Sequence, residues 1–138
     1  MRLLALSGAI TLIVFATPAA RAACTQADVA GVWASYTVGI NTASSDYWLD
    51  CTLRIDAAGK FTAKTSSCVA DSGLKSPAQG NLTLSNGGSC AYKGVIEMTK
   101  GVAESVINHA TLAIDKNSAE GVGLFEGGGF SFNLVRIK

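Results

Sequence analysis

The residues with most chemistry to offer are four cysteines, Cys24, Cys51, Cys68 and Cys90. Thiolates ligate metals and attack electrophiles, and sites that use them so carry close pairs or histidine companions. This chain has no Cys-x-x-Cys and a single histidine, His109. The remaining use is as disulfides, which form and persist in oxidising compartments. Four cysteines allow three pairings, and spacing alone does not choose among them. His109 has no serine or carboxylate partner fixed by motif, and it reads as a structural or surface residue of a strand. No G-x-S-x-G, H-E-x-x-H or phosphate loop is present. Gly127-Gly128-Gly129 joins two strands without opening a helix, so its glycines serve a turn. Asn81-Leu82-Thr83 matches a glycosylation sequon, a chance match beside a leader of bacterial type. The expectation is a protein that is not an enzyme, with no catalytic residue, no cofactor and no metal.

That leader sets the address. A basic start at Arg2, an apolar run from Leu3 to Phe15 and the small-residue ending Ala20-Arg21-Ala22 read as a signal peptide over residues 1–22, cleaved after Ala22. Cys24 lies near the new terminus, but Arg21 stands where bacterial lipoprotein signals carry an aliphatic residue, so lipidation is not expected. Removing 22 of the 138 residues leaves 116, enough for one domain over 23–138 with a core of its own. Nine Lys/Arg then balance ten Asp/Glu, with no basic cluster to recruit nucleic acid or anionic lipid. The apolar run is too short to span a bilayer, which takes about 20 residues, so no transmembrane segment is expected. The location implied is periplasmic or secreted.

From Gly31 onward the hydrophobic pattern has period two, cut by Gly, Asn, Asp and Ser clusters. Eight runs follow: 31–39, 47–56, 60–68, 80–85, 90–98, 105–114, 119–125 and 129–137. In the second, Tyr47, Leu49, Cys51, Leu53 and Ile55 share one face, and Trp48, Asp50, Thr52, Arg54 and Asp56 the other. Turns are expected at Asp56-Ala57-Ala58-Gly59, Asn86-Gly87-Gly88 and Gly127-Gly128. Thr25 followed by Asp28 marks a short helical turn before the first strand. Consecutive hairpins make a meander, and closure of eight strands removes the exposed edges that invite aggregation. The fold class expected is all-β: an eight-stranded antiparallel up-and-down barrel, stapled by disulfides.

Gly31-Val32-Trp33, opening the first strand after a helical turn, resembles the G-x-W signature of the calycins, the lipocalin, avidin and bacterial metalloprotease-inhibitor group of small secreted barrels. In the last strand Phe130, Phe132, Leu134 and Arg136 share a face. The resemblance implies that Arg136 packs across Trp33 at the closed end of the barrel. Cys51-Thr52-Leu53-Arg54-Ile55 with Cys68 is similar to the single-disulfide hairpin of the inhibitors, but only Ala23 would precede Cys24, leaving no free trunk to enter a protease cleft. The pairing expected is Cys51 with Cys68 and Cys24 with Cys90. In the chain-entropy account these contribute about 3 and 4 kcal/mol. The turn near Ala58 leaves Cys68 about two positions from direct opposition to Cys51, so a bulge is required.

Parity sends Tyr47, Phe61, Tyr92, Phe130 and Phe132 inward, where an eight-stranded barrel is either filled by such rings or holds one small ligand. These are the candidate ligand-binding residues, with a mouth near Tyr47 and the 40–46 loop. Trp48 points outward beside polar residues and is a candidate contact for a protein partner. Two functions follow: a non-enzymatic binding module for a small apolar molecule, or an interaction, inhibitor-like or envelope protein using loops 40–46 and 69–79 with Trp48.

Overall fold

The computed structural model describes residues 23–42, 46–99 and 104–138. The leader 1–22 and the centre of the 40–46 loop lie outside the described residues. A single 3-10 turn, Gln26–Val29, precedes nine strand segments: β1 (Gly31–Asn41), β2 (Tyr47–Ile55), β3 (Lys60–Phe61), β4 (Ser67–Ala70), β5 (Lys75–Asn86), β6 (Ala91–Met98), β7 (Ser105–Leu112), β8 (Ser118–Phe125) and β9 (Gly128–Arg136). β1 pairs antiparallel with β2, β2 with β4, β4 with β5 and each later strand with the next, and β1 pairs with β9 from Trp33 opposite Arg136 to Asn41 opposite Gly128. The sheet is therefore a closed eight-stranded meander barrel, with β3 and β4 sharing one stave against β5.

Two run boundaries move, for physical reasons. The run 60–68 breaks into β3 and β4 because Thr62 takes up a tight excursion in which its carbonyl accepts from Thr65 and Ser66. That excursion inserts the extra residues that bring Cys68 directly opposite Cys51. The stretch 69–79 is not a loop: β4 runs to Ala70, only residues 71–74 turn, and β5 starts at Lys75 rather than 80. Pro77 sits at the end of the β5–β6 ladder, where its carbonyl accepts from Thr99 N–H just past the last residue of β6, so its ring removes only the terminal reciprocal bond. Likewise β1 reaches Asn41 and trims the 40–46 loop. Cys24 is bonded to Cys90 and Cys51 to Cys68, across sequence separations of 66 and 17.

The end of the barrel beside the 3-10 turn is closed. Trp33 is 1% exposed, and its Nε1 donates to the Val29 carbonyl at 2.8 Å. A buried ring of roughly 200 Å² contributes on the order of 5 kcal/mol before chain entropy is subtracted. The Arg136 guanidinium lies 4.4 Å from the Trp33 ring centroid and donates to the carbonyls of Lys116, Asp28 and Ala30. One side chain thereby ties the last strand, the β7–β8 turn and the 3-10 turn together. Gly31 must be glycine: its φ is +146°, and a Cβ there would stand 2.8 Å from Arg136 Nη1. Gln26 clamps the same end to β5, donating to the Leu82 carbonyl and accepting from Leu84 N–H. The void left among Val29, Trp33, Tyr92 and Leu112 is only about 10 Å³.

Lys116 donates to Asp28 Oδ1 at 2.8 Å and Thr25 N–H to Oδ2 at 2.7 Å, and these bonds hold the Asp28 carboxyl below its ordinary 3.8. A carboxyl with a depressed folded pKa adds stability above its unfolded value and loses it as pH falls through the folded one. Asp28→Asn is expected to lower stability at neutral pH by less than about 1 kcal/mol, the pair being partly screened by solvent. Its deficit should vanish as the pH drops below 3.8, which urea midpoints collected across that range will check.

Candidate functional site

The opposite end of the barrel gathers Thr42, the turn 71–74, Thr99 and the turn Glu126–Gly127, with Tyr47 and Trp48 at the start of β2. Alternation along β2 divides those two aromatics. Tyr47 turns inward and is half-buried, and burial pushes its hydroxyl pKa up. Trp48 turns outward and is 46% exposed.

Inside, Tyr47 meets Phe125 edge-on, with centroids 5.5 Å apart at 62°. Phe125 leads to Phe130 at 6.5 Å and Phe130 to Phe132 at 6.0 Å, a continuous run of rings across the barrel. Room for them comes from glycines directly opposite in the neighbouring strand: Gly39 faces Tyr47, Gly121 faces Phe132, and Gly123 faces Phe130. An added Cβ at these glycines would lie 2.2 to 2.4 Å from the facing ring. Strand-interior glycine marks close approach, and here what approaches is an aromatic ring folded across the pleat.

Beneath the rings lies an internal cavity of about 40 Å³. Its walls are mainly Leu49, Leu53, Phe61, Leu82, Phe130 and Leu134, with three hydroxyls, Ser35, Thr37 and Ser105, among them. Ser35 Oγ and Thr37 Oγ1 are 3.5 Å apart. Such a volume suits one or a few waters; an apolar cavity that takes benzene is nearer 150 Å³.

Of the inward aromatics, Tyr47, Phe61, Phe130 and Phe132 line this cavity, whereas Tyr92 sits at the closed end, its hydroxyl donating to the Thr25 carbonyl at 2.8 Å. Burial and the nearby Asp28 charge raise the Tyr92 pKa. Phe125, the three hydroxyls and the ring-bearing glycines escaped the sequence reading, although Gly39, Gly121 and Gly123 all fall on inward parity and could have signalled it. His109 is exposed on β7, its Nε2 3.0 Å from Thr111 Oγ1. Among the described residues no three His, Cys, Asp or Glu side chains converge as a metal site would require.

Outside, the turn 71–74 is held against Trp48, whose carbonyl accepts from Asp71 N–H. Leu74 on that turn is 50% exposed, so two large apolar side chains stand on the rim of this end. Lower on the outer wall a recess of about 540 Å³ runs past Thr111, Ser118, Glu120 and Asn133. No helix among the described residues is long and apolar enough to cross a membrane. The chain matches no family model and no curated protein.

The glycine–ring pairs make a sharp forecast. At Gly123 a Cβ would meet the Phe130 ring at 2.2 Å and the Val106 carbonyl oxygen at 2.4 Å, and the backbone atom cannot step aside. Gly123→Ala should therefore destabilise the barrel by about 1–3 kcal/mol, measured as a drop in the urea midpoint with the slope unchanged.

Proposed function

We propose that this protein is a non-enzymatic, extracytoplasmic, calycin-like barrel that recognises a protein partner with the rim around Trp48. The observation that carries this reading is the contrast between the two aromatics that open β2. Tyr47 is spent closing an interior that retains about 40 Å³, while its neighbour Trp48 stands 46% exposed directly opposite the exposed Val38 of β1. Tryptophan is among the residues most enriched at positions that dominate binding energy, and an exposed one next to a second apolar side chain is the shape of such an anchor. Two disulfides, with neither cysteine pair left free, suit an oxidising compartment. A calycin relationship is supported by the barrel, by Gly31-Val32-Trp33 and by Arg136 over Trp33. The alternative, carriage of a small apolar molecule, needs roughly fourfold more interior space and hence displacement of Tyr47, Phe125 or Phe130.

Two measurements separate these readings. Native mass spectrometry of the protein purified from an exporting host is expected to give the twice-oxidised chain with no passenger; a retained small molecule would overturn the proposal. In envelope extracts, Trp48→Ala should weaken capture of the partner by about 2 kcal/mol, roughly thirtyfold, while leaving the thermal midpoint of the barrel unchanged. Equal capture by the variant would sink the assignment of Trp48.

A further inference from the structure

A second outer surface begins where Val38 lies opposite Trp48 and runs away from it across β1, β9, β8 and β7. Strand register places its side chains in two level rows. One row reads Ile40, Gly129, Leu124 and Val106; the next reads Val38, Ser131, Val122 and His109. The aliphatic members are all bare, from 44% exposed at Val106 to 65% at Ile40. Neither row holds an Asp, Glu, Lys or Arg. Tyr36, 61% exposed, adjoins them one level nearer the closed end.

At about 100 Å² for each half-exposed side chain, these six apolar residues present on the order of 600 Å². That is the most a typical monomer leaves uncovered, and it matches one side of a small but specific interface. The relief is what selects the occupant. Ser131 and Gly129 make a low strip along β9, walled by Val38 and Ile40 on β1 and by Val122 and Leu124 on β8. Adjacent strands lie about 4.8 Å apart, so the walls stand roughly 10 Å from one another, the width that admits one row of side chains. The patch thus carries both a ridge and the groove that accepts it, the self-complementarity a two-fold interface demands.

We infer that this face is the contact between two copies of the chain. A two-fold axis parallel to the strands, between β8 and β9, sets Val122 of each copy over Ser131 of the other. The same operation turns Ile40 toward the second copy's Val106 at the edge of the contact. One level down, the Asn133 amide meets the second copy's Glu120 carboxylate. An eight-stranded barrel turns roughly 45° per strand, so contact is tightest at β8 and β9 and falls away at β1 and β7. Trp48 on β2, opposite Val38, borders the contact, and in this arrangement both rims point the same way.

Sedimentation velocity on the protein purified from an exporting host tests the inference. The wild type should change from monomer to dimer as concentration rises through the micromolar range, as expected of so small an interface. Val122→Lys and Leu124→Lys alter exposed positions, so both should keep the oxidised mass and the wild-type circular dichroism while raising the dimer dissociation constant at least tenfold. Thr83→Lys, an exposed position on β5, should leave dimerisation unchanged. A wild type that stays monomeric up to about 1 mM overturns the inference, as does a dimer that survives both lysine variants. Val122 and Leu124 stand three strands from Trp48, so partner capture is read separately in the lysine variants and the two readings fail separately.

Discussion

Pairing of the first strand with the last is the constraint from which the rest of this structure follows. Once β1 meets β9 the sheet has no edge, and every inward side chain competes for a fixed cylinder. Two fillings result. At one end Trp33 and Arg136 occupy the axis, the guanidinium serving as a flat plate on the ring while its N–H groups satisfy carbonyls that a closed end would otherwise strand. At the other, rings are admitted only because the strand opposite supplies glycine. Size and absence of size are matched residue by residue, which is why neither can be read alone.

A filled interior moves recognition to the outside. The hydroxyls of Ser35, Thr37 and Ser105 are buried among aliphatic walls, whereas His109 is exposed on β7. The barrel's exposed apolar side chains lie on the rim and the wall. Both carry apolar side chains that folding itself does not use, Trp48 and Leu74 on one and the β8–β1 rows on the other.

Much of the architecture was legible in the sequence because period-two alternation survives almost unbroken from β1 to β9, and parity put Tyr47, Phe61, Tyr92, Phe130 and Phe132 on the inward face. Legibility ended where backbone geometry overrode composition. Pro77 and the serines around it suggested a loop, yet the chain there is a strand whose proline lies opposite the end of β6. Thr62 to Ser66 carried no sign that it would leave the sheet, since threonine favours strands. The two-row surface was invisible for a different reason: its members come from four strands, and alternation says which face a residue takes but not which residues become neighbours across the barrel. The cavity size was likewise beyond reach, because it depends on how rings lie over glycines and not on how many rings there are.

The closing pair also has a history. A chain that emerges N-terminus first presents β1 long before β9 exists, and while the successive hairpins from β2 to β8 can assemble from near neighbours, β1 has a partner on one flank only. Until synthesis is nearly complete its other flank is a bare row of N–H and C=O groups beside Tyr36, Val38 and Ile40, an aggregation hazard of the kind native proteins shield. The Cys24–Cys90 bond anchors the segment just ahead of β1 to the turn before β6, so it can be made when only two-thirds of the chain is present. Formed at that stage, it would hold the waiting strand near the half-built sheet, shortening the search that β9 must complete.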